Sequence, residues 1–396
     1  MSRHVLRIAT IVLLSLALAV PSVSAQNATP SAAESLLTSL GYPELHVKVT
    51  DNAIEAPAEV PAGLTLLTVE NTTKEDTGVF LIAPPEGMSI EEFSATAEAS
   101  PPPGATPGAE EGFPSWLYDA VLSGGPSVAA GGRGQVVINL QPGDWAVSSE
   151  GNQPPSMLKV TGGATPAAAA EPTTNLEVNL QEYAITIPQH VDPGPQIWKL
   201  SNTGQQPHVM YVVKTPRLLT MDEVMELAQL PENATPSPGL PNPAEIEDIG
   251  GMTILSAGRT AWMAFDLQPG YYVAICYIPD KVSHQPHEAL GMISIFTVGT
   301  PAGGTPAAAT PASASQTAVE IKGFAFNPAT ITVPAGTTVT WTNQDAAPHS
   351  ATADDGSFDT DRLDQGQSGT VTFDKPGTYT YVCKFHPNMK GTVVVT

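Results

Sequence analysis

Short runs of alternating polar and apolar residues recur along the chain, and most of them are bounded by glycine or proline. The clearest runs near the carboxyl end are Ile331 to Val333, Thr337 to Thr342, Thr370 to Phe373 and Tyr379 to Cys383. Alternation with period two between turn residues is typical of strands that bury one face. Tyr379, Tyr381 and Cys383 fall on the same face, so the pattern predicts that the Cys383 side chain points into a core.

One plan is repeated three times along the chain. In each copy a Pro-Gly pair is followed, six residues after the glycine, by the residue that ends a strand-like run: Gly143 and Ser149, Gly270 and Cys276, Gly377 and Cys383. An asparagine precedes a histidine by six residues in two copies: Asn202 and His208, Asn343 and His349. Asn71 in the first copy has no histidine in the corresponding stretch. The first copy therefore lacks the residues that could bind a metal.

Two stretches of Ala, Thr, Pro, Gly and Ser, at 162–174 and 299–318, have the composition of linkers. They divide the chain into a first module (42–161), a second module (175–298) and a third module (319–396). With 34 Gly, 39 Pro and only 14% charged residues, the composition favours an all-β protein. Each module is long enough to bury its own core. The sequence predicts three β-sandwiches joined by Pro/Ala/Thr-rich linkers.

The first two modules carry insertions that predict short helices. These are Met88 to Ser94 and Thr220 to Gln229, and both lead into proline-rich loops. In the second, Thr220 is expected to be the N-cap and Glu223 its capping-box partner.

The amino-terminal residues 1–25 predict a secretory signal peptide. Arg3 and Arg7 precede an apolar run, and Val23 to Ala25 offers a small-residue cleavage site. The apolar run is shorter than the roughly 20 residues that span a bilayer. We therefore expect an exported protein, periplasmic or extracellular, with no transmembrane segment in the mature chain.

The charge of the chain excludes one class of partner. Lys and Arg number 16 and Asp and Glu 39, which gives a formal charge of −23 and disfavours binding to nucleic acid. A basic protein partner fits this charge, and so does the need of an exported protein for solubility. An acidic stretch in the third module is either a solvated loop or a docking patch; it contains Asp354, Asp355, Asp359, Asp361 and Asp364.

The end of the third module carries several potential metal ligands close together in sequence. Cys383, His386 and Met389 supply a thiolate, an imidazole and a thioether within seven residues, and His349 lies upstream in a turn with proline. Two His, one Cys and a weak Met ligand are the donors of a blue-copper site. Zinc is the competing metal, but it has little use for a thioether.

Read in order, these elements form a motif: Asn343, His349, Pro376-Gly377, Cys383, His386 and Met389. The motif resembles the cupredoxins, including amicyanin, pseudoazurin and plastocyanin, over roughly 319–396. The Cys-x2-His-x2-Met spacing is most similar to amicyanin. The resemblance implies Greek-key β-sandwiches and type 1 copper bound by His349, Cys383, His386 and an axial Met389. It also implies that His386 is the solvent-edge ligand, ringed by an apolar contact patch of Pro348, Phe385, Pro387 and Met389.

The second module offers a second candidate copper site: His208, Cys276, His287 and Met292. Ten residues, 277–286, separate its cysteine from His287, and this insertion contains a rival ligand, His284. The sequence leaves open whether the site binds copper or belongs to a structural copy of the fold. We expect no disulfide, because Cys276 and Cys383 occupy matching places in separate modules.

The function predicted from these features is single-electron transfer between redox partners by an exported type 1 blue copper protein, without catalysis. A copper storage or delivery protein and a nitrite reductase-like copper oxidoreductase remain alternatives. A multicopper oxidase is disfavoured, because its trinuclear cluster needs paired histidines beyond the blue site and the chain has only eight His. The sequence does not identify the partner, the role of the first module or the oligomeric state.

Overall fold

The computed structural model describes residues 32–85, 87–93, 115–151, 153–162, 170–230, 235–299, 317–345, 347–386 and 389–396. Strands make up most of the regular structure. The predicted signal peptide and most of both predicted linkers lie outside the described residues. Within the described part of the chain, no helix is both long and apolar enough to cross a membrane.

The described residues of the first module form ten strands: β1 (Glu44–Val49), β2 (Ile54–Glu55), β3 (Glu59–Pro61), β4 (Gly63–Asn71), β5 (Thr77–Ala83), β6 (Val121–Leu122), β7 (Ser127–Val128), β8 (Arg133–Leu140), β9 (Gly143–Ser149) and β10 (Ser156–Thr161). One sheet runs β3-β10-β9-β5-β6, with β7 also paired to β5. The strands β8-β4-β1-β2 face it as part of a larger sheet. Alternate residues of β1 are buried, as the period of two requires. Of the helix predicted at Met88, a turn over 90–93 lies within the described residues.

The second module, where the structure describes it, adds nine strands: β11 (Leu176–Gln181), β12 (Ala184–Thr186), β13 (His190–Val191), β14 (Gly194–Asn202), β15 (His208–Thr215), β16 (Glu247–Leu255), β17 (Thr260–Leu267), β18 (Gly270–Ile275) and β19 (Ile293–Val298). Its outer sheet runs β13-β19-β18-β15-β16. The predicted helix spans Met221–Ala228, and both halves of its capping box with Thr220 and Glu223 are present. That prediction is confirmed.

The first two modules share one sheet of eight strands, in the order β12-β11-β14-β17-β8-β4-β1-β2. The junction is the antiparallel pair β8 and β17, where Trp262 lies opposite Val137. A second contact joins their other sheets, because Thr253 Oγ1 donates to the carbonyl oxygens of Val79 at 3.0 Å and Gly125 at 3.1 Å. A single hydrophobic cluster runs through both modules. The two predicted sandwiches are therefore one packed unit.

A short helix, α1 (Ala32–Thr38), covers the junction between these modules. Its Leu37 is fully buried and packs with Val137 of the first module and Ile197 and Trp262 of the second. No pattern in the sequence predicts this helix. We number the helix at Met221–Ala228 α2.

The third module is a separate sandwich with its own core. Its strands are β20 (Ala318–Ile321), β21 (Phe326–Asn327), β22 (Thr330–Val333), β23 (Thr337–Asn343), β24 (Thr352–Ala353), β25 (Ser368–Phe373), β26 (Gly377–Val382) and β27 (Lys390–Val395). They form two sheets, β21-β20-β23-β25 and β22-β27-β26-β24. The four strand runs predicted from period two correspond to β22, β23, β25 and β26. The all-β fold class is confirmed.

Candidate metal centres

The third module brings its predicted ligands to one end of the sandwich. Cys383 directly follows β26 and Met389 directly precedes β27, so the chain between these paired strands forms a short loop that carries His386. The Cys383 N–H donates to the Met389 carbonyl at 3.2 Å, and the Met389 N–H donates to the His386 carbonyl at 2.9 Å. His349 is fixed separately, by a two-way backbone bridge to Leu363.

Three ligand atoms of this third-module site converge at bonding geometry. Cys383 Sγ lies 3.6 Å from His349 Nδ1 and 3.5 Å from His386 Nδ1, and the two nitrogens are 3.1 Å apart. First-row metal bonds of about 2.0 Å to nitrogen and about 2.3 Å to sulfur put tetrahedral ligands roughly 3.3 to 3.6 Å apart. One ion therefore fits between all three atoms. Cys383, His349, His386 and Met389 are all buried.

The electrostatics of the third-module site favour a thiolate. Burial alone would raise the pKa of Cys383, but its contacts with His349 and His386 outweigh burial and lower the pKa to about 5. The Ser350 N–H also points at the sulfur, at 3.4 Å. The thiolate is the form in which cysteine binds a metal, so this site is prepared for one.

The second module assembles the same arrangement from the residues that its sequence suggested. Cys276 Sγ lies 3.8 Å from His208 Nδ1 and 3.5 Å from His287 Nδ1, and the nitrogens are 3.2 Å apart. The Cys276 N–H donates to the Met292 carbonyl at 3.1 Å, and the Met292 N–H donates to the His287 carbonyl at 2.8 Å. Val209 matches Ser350, because its N–H lies 3.4 Å from the Cys276 sulfur. The two sites therefore share the same arrangement of ligand atoms and the same backbone hydrogen bonds.

The ten inserted residues between Cys276 and His287 do not disturb the second-module site. Their ends are joined by a bridge between Pro279 and Pro286. The loop contacts the first module, where the Tyr118 hydroxyl donates to the Pro279 carbonyl at 2.6 Å. His284 is exposed on this loop and is not part of the ligand cluster. His284, the competing ligand that the sequence suggested, therefore lies away from the site.

The second-module site is less prepared for a thiolate than the third. Burial raises the pKa of Cys276 to about 12. Burial and the neighbouring His208 lower the pKa of His287 to about 3, so its imidazole is neutral at pH 7 as a ligand must be. An ion that binds here has to displace the thiol proton.

The outer nitrogens of the ligand histidines have different partners. His349 Nε2 lies 3.1 Å from Asp345 Oδ2, and His208 Nε2 lies 3.7 Å from Glu182 Oε1. His386 Nε2 lies 3.1 Å from the carbonyl oxygen of Leu290. Metal-binding histidines commonly donate their second N–H to a carboxylate or carbonyl, which fixes the ring. Among the described residues, both outer nitrogens of the second-module site, His208 Nε2 and His287 Nε2, are buried without a hydrogen-bond partner.

The carboxylates of Asp345 and Glu182 also accept hydrogen bonds from backbone N–H groups. Asp345 accepts from the N–H groups of Gly323 at 2.8 Å and Phe324 at 2.9 Å. Glu182 accepts from the N–H groups of Gln205 at 2.5 Å and Gln206 at 2.7 Å. Sequence reasoning missed both acids. Asp345 lies four residues before His349 and could have been suspected, whereas Glu182 comes from a different strand turn and carries no local signal.

The repeated asparagine fixes the turn that follows it in all three modules. Its side-chain amide donates to backbone carbonyls in each: Asn71 to those of Glu75, Val128 and Ala129, Asn202 to those of Gln206 and Leu255, Asn343 to those of Ala347 and Leu363. The first module keeps this support without the ligands. The residue six after Asn71 is Thr77, Ser149 bonds to Gln153 at 2.8 Å, and Met157 is 50% exposed.

A known protein family matches the carboxyl-terminal part of the chain. Residues 291–395 match the family model of the cupredoxin-like domain. Amicyanin-alpha of Methylorubrum extorquens is 39% identical over 85 residues, which are 20% of this chain and 71% of that protein. Plastocyanin of Scenedesmus fuscus is 36% identical over 83 residues, 18% of this chain and 85% of that protein. The chain belongs to the cupredoxin family. A solved purple cupredoxin from Nitrosopumilus maritimus is 31% identical, with a TM-score of 0.19. The match covers 20% of this chain and 98% of that protein.

Copper is the cofactor of this cupredoxin, and its donor sets fit one or two ions. The described residues contain two clusters of three potential ligands, His349-Cys383-His386 and His208-Cys276-His287. Both cysteines are free, as predicted. His46 and His190 are exposed on strands, away from either cluster.

One expectation drawn from the family resemblance is wrong. His386 does not form a solvent edge, because it is only 5% exposed and lies under the second module. Pro348 and Met389 of the expected contact patch are buried, Phe385 is partly buried, and Pro387 lies outside the described residues. An external partner therefore has no access to the third-module site through this imidazole.

Proposed function

We propose that this cupredoxin is an exported type 1 copper protein that carries single electrons between redox partners. The observation that carries the proposal is the buried cluster of Cys383, His349 and His386 with Met389 in the same loop. When bound, copper supplies a one-electron couple between Cu(I) and Cu(II). His349, Cys383 and His386 would hold it, with Met389 as a weak further ligand.

The protein's own residues support electron transfer by keeping the site fixed and dry. Asp345 orients the His349 ring, and the Ser350 N–H faces the thiolate of Cys383. A ligand set anchored from two separate segments changes little between oxidation states, which favours rapid electron exchange. We assign the same role in the second module to His208, Cys276, His287 and Met292.

Burial weighs against the two alternative functions. Catalytic metal sites keep an open position for water or substrate, whereas His349 and Cys383 are fully buried and His386 is 5% exposed. An electron can enter such a closed site, but nitrite or oxygen meets packed side chains. Ready copper exchange, which a storage or delivery protein needs, is disfavoured for the same reason.

The location and the partner of the protein are proposed from the sequence and its charge. The signal-like segment at 1–25 supports export to the periplasm or beyond. The net charge of −23 and the exposed acidic stretch from Asp354 to Asp364 favour a basic redox protein as the external partner. Part of this acidity is neutralised locally, because Lys384 pairs with Asp359 and Arg362 with Asp364.

Copper counting with optical and electron paramagnetic resonance (EPR) spectra tests the proposal. The mature protein should bind two type 1 coppers, the C276S and C383S variants one each, and the double variant none. The thiolate-to-copper bond should give each bound site a strong visible absorption and a narrow copper hyperfine splitting. H46A, which alters an exposed histidine, is the control and should leave the copper content at two. A blue double variant would contradict the assignment.

A further inference from the structure

The ligand loop of the second-module site covers the third-module site. His386 Nδ1 faces Cys383, so its Nε2 carries the proton and donates to the Leu290 carbonyl at 3.1 Å. Leu290 lies between His287 and Met292, two ligands of the second-module site. Its own N–H donates to the His287 carbonyl at 3.1 Å. Three residues of backbone and one hydrogen bond therefore connect a ligand of one site to a ligand of the other.

An aromatic ring makes a second connection between the sites. The Tyr183 ring lies edge-on to His287, with centroids 5.9 Å apart, and its centroid is 6.5 Å from that of His386. Its hydroxyl is bonded to Asp280 Oδ2 at 3.1 Å, so the ring is held in this position. One side chain thus contacts an imidazole of each site.

The third module contributes the matching aromatic residue. Phe324 lies edge-on to His386 at 4.9 Å and to His349 at 5.3 Å. The same ring packs on Gly291, where an added Cβ would lie 1.9 Å from Phe324 Cε1. Gly291 follows Leu290, so the second and third modules are in close contact beside the bridging carbonyl.

We propose that the two sites are an internal redox pair, and that the third-module site exchanges electrons with the second-module site through His386, Leu290 and Tyr183. This inference rests on the proposed function. With copper bound at both sites, one electron would pass along the Leu290 carbonyl and the His386 N–H, so that one centre would be oxidised from Cu(I) to Cu(II) as the other is reduced, and no proton or protein ligand would have to move. The buried His386, which an external partner cannot reach, then has a defined redox partner.

The first experiment measures the proximity of the two sites without measuring electron transfer. EPR spectra are recorded for the fully oxidised two-copper protein and for the C276S and C383S variants, each with one copper. If the sites face each other, the two-copper spectrum is broadened by coupling between the two spins and differs from the sum of the single-site spectra. A spectrum equal to that sum overturns the internal pair.

The second experiment tests the path. Gly291 and Gly366 both have left-handed backbone, with φ of +93° and +79°, but a Cβ at Gly366 meets nothing within 4 Å. We expect G291A to separate the modules and G366A, the matched control, to leave them in contact. In the Cu(I) protein, which is diamagnetic, the His386 Nε2 proton should exchange slowly with solvent in G366A and at least tenfold faster in G291A.

Electron transfer is followed in the same pair of variants. Half an equivalent of reductant is added to the oxidised protein, and freeze-quenched samples are read by EPR against the single-site spectra. The expected result is a redistribution phase whose rate does not depend on protein concentration, and which G291A slows at least tenfold. A rate proportional to protein concentration, or one that G291A leaves unchanged, overturns the proposal.

The failures of the two proposals are distinguishable. If neither C276S nor C383S gives a type 1 spectrum, the copper assignment fails and the internal pair fails with it. If both variants are blue but the two-copper protein behaves as their sum, the copper assignment stands and the internal pair alone is wrong.

Discussion

At the scale of single residues, each ligand imidazole has two ring nitrogens with different neighbours. The inner nitrogens of the two sites form nearly the same triangle with sulfur. In the third module the outer nitrogen of His349 meets a carboxylate and that of His386 a backbone carbonyl, whereas those of His208 and His287 have no hydrogen-bond partner among the described residues. The two sites are therefore alike in donors and unlike in what orients those donors.

The carboxylate of Asp345 provides a residue-scale prediction. D345N removes the charge that faces His349, and loss of such an outer partner typically weakens metal binding 10–100-fold. We expect that change in the copper affinity of the third-module site, measured by chelator competition in a C276S background. D364N, which alters an exposed acid of the same module, is the control. Equal affinities of D345N and D364N would contradict an orienting role for Asp345.

The candidate ligands and the nearby Asp345 carry a signal in the sequence and the more distant Glu182 does not, for a physical reason. Cys383, His386 and Met389 sit on one short loop whose spacing is visible in the chain. Glu182 reaches His208 only because β11 and β14 are neighbours in a sheet. His284 is the converse case, since it lies close to Cys276 in sequence but points to solvent. Distance along the chain predicts contacts within a loop but not contacts between strands.

At the scale of elements, local signals predicted helix α2 well. Thr220 and Glu223 form the expected reciprocal cap, and Glu223 also accepts from Arg217 at 2.7 and 3.0 Å. Helix α1 lacks such signals. It is only seven residues long, and it owes its position to Leu37 buried against the strands of two modules. Short helices are stabilised mainly by the surface on which they pack.

The Glu223 carboxylate gives a pH prediction for α2. Hydrogen bonds from Arg217 lower the pKa of Glu223 to about 2, below its value in the unfolded chain. Its stabilising contribution is present above the unfolded pKa of about 4.3 and is lost as the pH falls through about 2. E223Q removes this contribution. We expect the wild type to lose more free energy of unfolding than E223Q on acidification from pH 5 to pH 2, measured by urea titration.

The control for that comparison is E226Q, which removes a carboxylate from the same helix. E226Q should follow the wild-type pH dependence. If E223Q and the wild type lose stability in parallel, the Arg217 pair contributes nothing to acid sensitivity.

At the scale of the whole molecule, the first and second modules are fused into one sheet. Strand pairing between β8 and β17 uses backbone groups, which every sequence has, so no residue pattern predicted it. The period-two pattern predicted strands that bury one face, and therefore a sandwich of two sheets in each module. It could not predict that two sheets would join at their edges. The third module has a separate core and meets the others around its metal site.

The shared sheet predicts two unfolding transitions instead of three. W262A empties a buried position at the junction, which typically costs about 3–5 kcal/mol, and should lower the transition midpoint of the unit formed by the first two modules. W341A, the matched change in the third-module core, should lower the other midpoint. Scanning calorimetry of the copper-free protein measures both. Three resolved transitions, or one that both variants shift equally, would contradict this organisation.

The hydrogen bond between Leu290 and His386 has a consequence for how the protein works in its environment. Small electron carriers meet their partners by collision, so their rates depend on dilution and on salt. Here both partners belong to one chain, and their effective concentration is set by the tether and not by the surroundings. Exchange between them should continue unchanged in dilute or saline media, where diffusing carriers slow down.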